Sequence, residues 1–175
     1  MNARMPTPEG VIRNPIRGGL ILGTLFAGFC LNLLPWGGSG LLVRPDLLLL
    51  MLIYWCMHEP RSVGAASAFV GGLIMDVAES AILGQNALTY SLAAYLAIFM
   101  RLRVLRFGFW AQALHVAAVL LLVQLLQLLE NFLIGVPLPS WFYLGRSLSG
   151  ALLWPFISWL LELYRLQPRR EGISG

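Results

Sequence analysis

At 175 residues the chain has the size of one domain, with 58% of its residues hydrophobic and only 11% charged. Soluble domains carry about 45–50% apolar and about 25% charged residues, so the composition points to a membrane protein and away from an ordinary soluble enzyme. The net charge of +4 comes from arginines alone, with no lysine. These arginines fall between apolar segments and form no single patch, which reads as membrane orientation and argues against nucleic acid.

Taken in chain order, the apolar segments suggest six spans of an all-α, polytopic membrane protein. A span needs roughly 20 apolar residues. The first runs from Gly18 to Trp36, behind Arg4, Arg13 and Arg17. No A-x-A-like cleavage site follows it, so it reads as a retained span and not a signal peptide. The second, Pro45 to Met57, is short, with Tyr54 and Trp55 near its end, where aromatic residues suit an interfacial belt. The third covers Ser62 to about Val77 and is rich in Gly and Ala. The fourth covers about Asn86 to Met100. The fifth and strongest is Trp110 to Ile134, and the sixth is about Tyr143 to Tyr164. Cys30 and Cys56 lie in apolar runs and read as small buried hydrophobes.

Arginines flank the cytoplasmic ends of helices. With the N-terminus inside, segments 1–17, 58–61, 101–109 and 165–175 hold ten of the twelve arginines, leaving Arg44 and Arg146 outside. Both termini are therefore expected in the cytoplasm. The expected organisation is a basic tail over 1–17, a six-helix transmembrane domain over 18–164 and a second basic tail over 165–175.

Within this frame Gly64, Ala68, Gly72 and Asp76 recur every fourth residue and form one helical stripe. Small residues let another helix approach closely, whether from a partner or from the same chain. One reading is a docking face that ends in a carboxylate. The other is packing within the bundle, with Asp76 at a helix end facing the outer interface. At 44-RPD-46, Pro45 and Asp46 suit a helix start. Arg44 and Asp46 are candidates for outer polar contacts, Arg44 with Asp76 among them. The 58-HEPR-61 stretch reads as a polar turn. Gln124, Gln127 and Asn131 share a face that should turn to protein, with Glu130 beside it. Pro155 is expected to kink the last span. No HExxH, GxSxG or P-loop occurs, nor a spaced nucleophile–base set. Neither an enzyme nor a metal or cofactor is expected.

Several stretches together resemble the rod shape-determining MreD family. They are 34-LPW-36, 44-RPDLLLLMLIYW-55, the turn Glu59-Pro60-Arg61, 69-FVGGLIMD-76 with 83-LG-84, 94-AYL-96, 109-FWAQAL-114 and 150-GALLWPF-156. The resemblance extends from about residue 20 to 160. It implies a small, non-enzymatic protein of the bacterial inner membrane, in the cell-elongation machinery. Such a protein would bind MreC and act beside MreB, RodA and the elongation penicillin-binding transpeptidase. The family is similar in architecture to the six-helix S-components of energy-coupling-factor transporters. The candidate partner-binding residues are Gly64, Ala68, Gly72, Asp76, Arg44 and Asp46. On this reading a bulky Gly72→Leu change weakens partner association without disturbing insertion. A rival reading, a small-molecule-binding transporter subunit, needs a cavity lined by polar residues such as Gln124, Gln127 and Asp76.

Overall fold

A 12-residue apolar helix is only about 18 Å long, well short of a hydrocarbon core of about 30 Å. The second apolar segment forms such a helix, and the fold places it in the middle. In the computed structural model, which describes residues 18–34, 37, 44–136 and 141–166, six α-helices follow one another. They are α1 (Gly18–Asn32), α2 (Leu47–His58), α3 (Ala65–Ala78), α4 (Gln85–Val104), α5 (Phe109–Ile134) and α6 (Gly145–Leu166). A 3₁₀ turn, Trp141–Leu144, leads into α6. Trp36, the segment holding Arg4, Arg13 and Arg17, and that holding Arg169 and Arg170 lie outside the described residues.

The expected segments all appear as helices, with shifted ends. α1 stops at Asn32 instead of continuing to Trp36, and α4 continues four residues beyond Met100. Pro45 and Asp46 lie before α2 and not in its first turn. α6 continues through Pro155 and reaches Leu166. Proline has no N–H to give to the carbonyl of Ala151, so one ladder bond is missing there. α4 and α5 are each long and apolar enough to cross a membrane.

α2 is wrapped by α1, α4 and α6, and nine of its residues are buried. Tyr54 and Trp55 were expected at a membrane interface; both have 0% exposure. Tyr54 faces Trp154 of α6 across 6.4 Å and stacks on His58 at 4.0 Å. Trp55 donates from Nε1 to Thr24 Oγ1 of α1 at 2.9 Å. α1 itself is mostly exposed along its length. It approaches α2 at Gly28, where a Cβ would lie 2.8 Å from Met51 Sδ and 3.2 Å from Leu48 Cα. Cys30, expected to be buried, is exposed on α1, whereas Cys56 is buried in α2. An apolar residue can face lipid as readily as core, so composition alone did not distinguish the two sites.

Side-chain hydrogen bonds fix the directions of the helices. Asn32 at the end of α1 meets Asp46 at the start of α2, and Asp76 near the end of α3 meets the start of α4. Gln85 at the start of α4 meets Asn131 near the end of α5. Successive helices therefore run in opposite directions. One end of the bundle gathers Arg44, Asp46, Asp76, Glu79 and Arg146. The other carries Arg61, Arg101, Arg103 and Arg106.

Candidate functional site

The end that gathers the acids is a polar junction built from six helix termini. Its centre is Asp76, which has no exposure to solvent. A helix start leaves its first N–H groups without intrahelical partners. α4 begins after Gly84, whose φ of 102° is the left-handed conformation that glycine adopts freely. Gly84 has no side chain with which to cap the helix. Asp76 supplies the cap from α3. Its Oδ2 accepts from the N–H of Gly84 at 2.9 Å and of Ala87 at 3.3 Å, and its Oδ1 from the N–H of Asn86 at 2.7 Å. The negative charge also meets the positive end of the helix dipole.

The cap requires α3 and α4 to lie very close, and Gly72 permits it. A Cβ at Gly72 would sit 2.5 Å from both Ala87 Cα and Asn86 O, which are backbone atoms. Ala68, one turn earlier, is also fully buried. Gly64 lies just before α3, where its N–H donates to Ser67 Oγ at 2.9 Å. Ala68, Gly72 and Asp76 thus face the interior of this chain, and α4 occupies the face of Gly72. Of the two readings of the stripe, these contacts agree with packing inside the bundle, and Asp76 at the helix end is a buried cap of α4.

The Arg44–Asp46 region also forms different contacts from those expected. Arg44 pairs with Glu79 at the end of α3, and not with Asp46 or Asp76. Asp46 caps its own helix, accepting from the N–H of Leu49 at 3.0 Å through Oδ1. The same oxygen accepts from Asn32 Nδ2 at 2.7 Å, while Tyr90 of α4 donates its hydroxyl to Oδ2. Asn32 in turn accepts from the N–H of Leu47 at 2.9 Å. Arg146 Nε reaches the carbonyl of Arg44 at 3.2 Å. Asp46 therefore ties α1, α2 and α4 together. Asn32, Glu79 and Tyr90 were not anticipated, because each is a lone polar residue whose partner lies on another helix.

The polar face of α5 turns inward, as its spacing suggested. Gln124 donates to the carbonyl of Tyr143 and accepts from Ser147 Oγ. Gln127 donates to Asn86 Oδ1 at 3.1 Å and accepts from Tyr143 at 3.0 Å, and Asn131 accepts from Gln85 Nε2 at 3.0 Å. Glu130, beside this face, has both carboxylate oxygens buried without a hydrogen-bond partner among the described residues. The space lined by Gln124, Gln127, Asp46 and Arg146 has a volume of about 30 Å³. That accommodates about one water molecule, and Asp76 does not line it. The cavity required by the transporter reading is absent at this place.

The outward surface of the bundle is apolar. Leu22, Phe26, Phe69, Val70, Ile74, Val77, Leu125 and Phe132 are among its large exposed side chains. The family model described as rod shape-determining protein MreD matches residues 16–164. The chain belongs to the MreD family. A rod shape-determining protein MreD from Haemophilus influenzae is 28% identical over 145 residues, covering 83% of this chain and 90% of that protein. No solved structure matches the chain. MreD is a family of membrane proteins in rod-shape determination, which agrees with the two spanning-length helices and the apolar exterior. The polar junction thus belongs to a MreD-family bundle, where its contacts hold helices to one another.

Proposed function

We propose that this protein is a non-catalytic membrane scaffold of the bacterial rod complex. It binds MreC and supports lateral peptidoglycan synthesis together with MreB, RodA and the elongation transpeptidase. All six helices cross the inner membrane, with both termini in the cytoplasm. One observation carries the scaffold reading. The polar residues at the junction bond chiefly to one another, and the surrounding surface is apolar and suited to contact with helices or lipid.

In this reading Ala68, Gly72 and Asp76 serve partner binding indirectly, by holding α3 on α4 and so shaping the outer surface. Gly64 sets the start of α3. The Arg44–Glu79 pair, with Asp46 behind it, lies at the end where an extracytoplasmic partner would emerge.

Photocrosslinking residues placed singly at Phe26, Val70 and Leu125 in living cells test this reading. Crosslinks to MreC are expected from at least one helix face, together with loss of rod shape when the protein is depleted. Rod-shaped growth after depletion, with no MreC adduct from any exposed apolar position, would refute the scaffold.

A further inference from the structure

At the arginine-rich end the helices part around a second hollow, of about 340 Å³. This is at the lower end of the range of small-ligand sites, about 300–1,000 Å³. Its wall is formed by α2, α4, α5 and α6, and includes Arg101, Leu102, Gln112 and Glu162. Among the described residues, neither Arg101 nor Glu162 forms an ion pair, with each other or with any other side chain. Gln112 is 6% exposed. Its Nε2 donates to the carbonyl of Phe107 at 2.9 Å, but its Oε1 is buried with no partner. A buried acceptor left without a donor is destabilising. Among the described residues the hollow thus combines a cation and a carboxylate outside any ion pair with an unmet acceptor.

We propose that this hollow binds a phosphate ester carrying a primary ammonium group, the head group of an aminophospholipid. Arg101 takes the phosphate through charge-assisted hydrogen bonds. Glu162 and Gln112 Oε1 accept the ammonium N–H groups. The lipid source follows from Leu102, which lines the hollow and is 67% exposed. It continues an outward apolar row on α4 with Phe99 and Tyr95, whose rings lie 6.4 Å apart. An acyl chain can lie along that row while the head group enters between the helix ends. This assignment rests on the membrane-embedded reading of the chain.

The full chain, purified in mild detergent with equal mole fractions of phosphatidylethanolamine, phosphatidylcholine and phosphatidylglycerol, tests it by native mass spectrometry. Choline has no N–H to donate, and glycerol has no cation. Phosphatidylethanolamine should be retained over both by roughly tenfold, the equivalent of one charge-assisted hydrogen bond. Glu162→Gln should reduce it to the level of phosphatidylcholine, and Arg101→Gln should lower retention of all three. Equal retention of the ethanolamine and choline lipids overturns the proposal, as does an unchanged preference in Glu162→Gln. If that variant fails to fold, the wild-type ratio alone decides. Retention of no phospholipid would also fail the membrane reading, whereas retention without preference fails only the head-group site. Displacement by soluble glycerophosphoethanolamine at equal concentration overturns the lipid source, and its failure to displace supports it.

Discussion

Gly72→Ala should lower the thermal midpoint of the purified protein, whereas Gly71→Ala, one residue away, should leave it unchanged or slightly higher. At Gly72 the added methyl meets the α4 backbone at 2.5 Å. Backbone cannot move aside as a flexible side chain can, so α3 must shift. Overpacking of this kind costs about 1–3 kcal/mol, at about 2–4 °C per kcal/mol for a chain of this size. At Gly71 the nearest atom is Leu52 Cδ1 at 3.5 Å, an ordinary contact. There alanine also gains helix propensity, up to about 1 kcal/mol over glycine. Gly72→Leu should be worse than Gly72→Ala and should reduce the yield of folded protein. Any weakening of partner association in Gly72→Leu is then expected together with a disturbed bundle. Equal midpoints for the two alanine variants would show that α3 and α4 are not in backbone contact.

The second large effect is expected at Asp76. Asp76→Ala leaves the N–H groups of Gly84, Asn86 and Ala87 without the carboxylate that accepts from them. Each unmet buried group costs about 1–3 kcal/mol, and the loss of charge at the α4 start adds about 0.3–1 kcal/mol. The variant should therefore be among the least stable single substitutions in the chain. Asp76→Asn keeps one accepting oxygen and should lie between it and the wild type. Hydrogen exchange at Asn86 and Ala87 provides the local readout. Faster exchange there in Asp76→Asn, with protection kept in the middle of α2, is the expected pattern. Unaltered exchange at both amides would remove Asp76 from the role of cap.

The two sites also show what could be read from the residues. The six helices were legible because apolar runs, most of them bounded by arginines, form a strong one-dimensional signal. The four-residue spacing placed Ala68, Gly72 and Asp76 on one face, and that face is buried. What occupied it was not legible, since small residues admit a helix from any source. In water an apolar stripe marks the core. A helix that is apolar all round gives no such mark, so Cys30 and Tyr54 were assigned to the wrong environments. The partners of Asp46 and Arg44 were missed for another reason. Asn32, Tyr90 and Glu79 reach them across helix boundaries, and no local spacing records such contacts.

The shortness of α2 bears on how the protein is made. A helix of about 18 Å offered alone to a bilayer leaves polar ends in hydrocarbon or forces local thinning. Its stable position depends on α1, α4 and α6, the last of which follows the other five helices in the chain. If all six helices span the membrane as proposed, integration of α2 should therefore be complete only once α6 has been made. A chain truncated after residue 104 should leave α2 accessible to water-soluble thiol reagents at Cys56, a position that the complete bundle shields. Equal protection of Cys56 in the truncated and complete chains would show that α2 settles without its late neighbours.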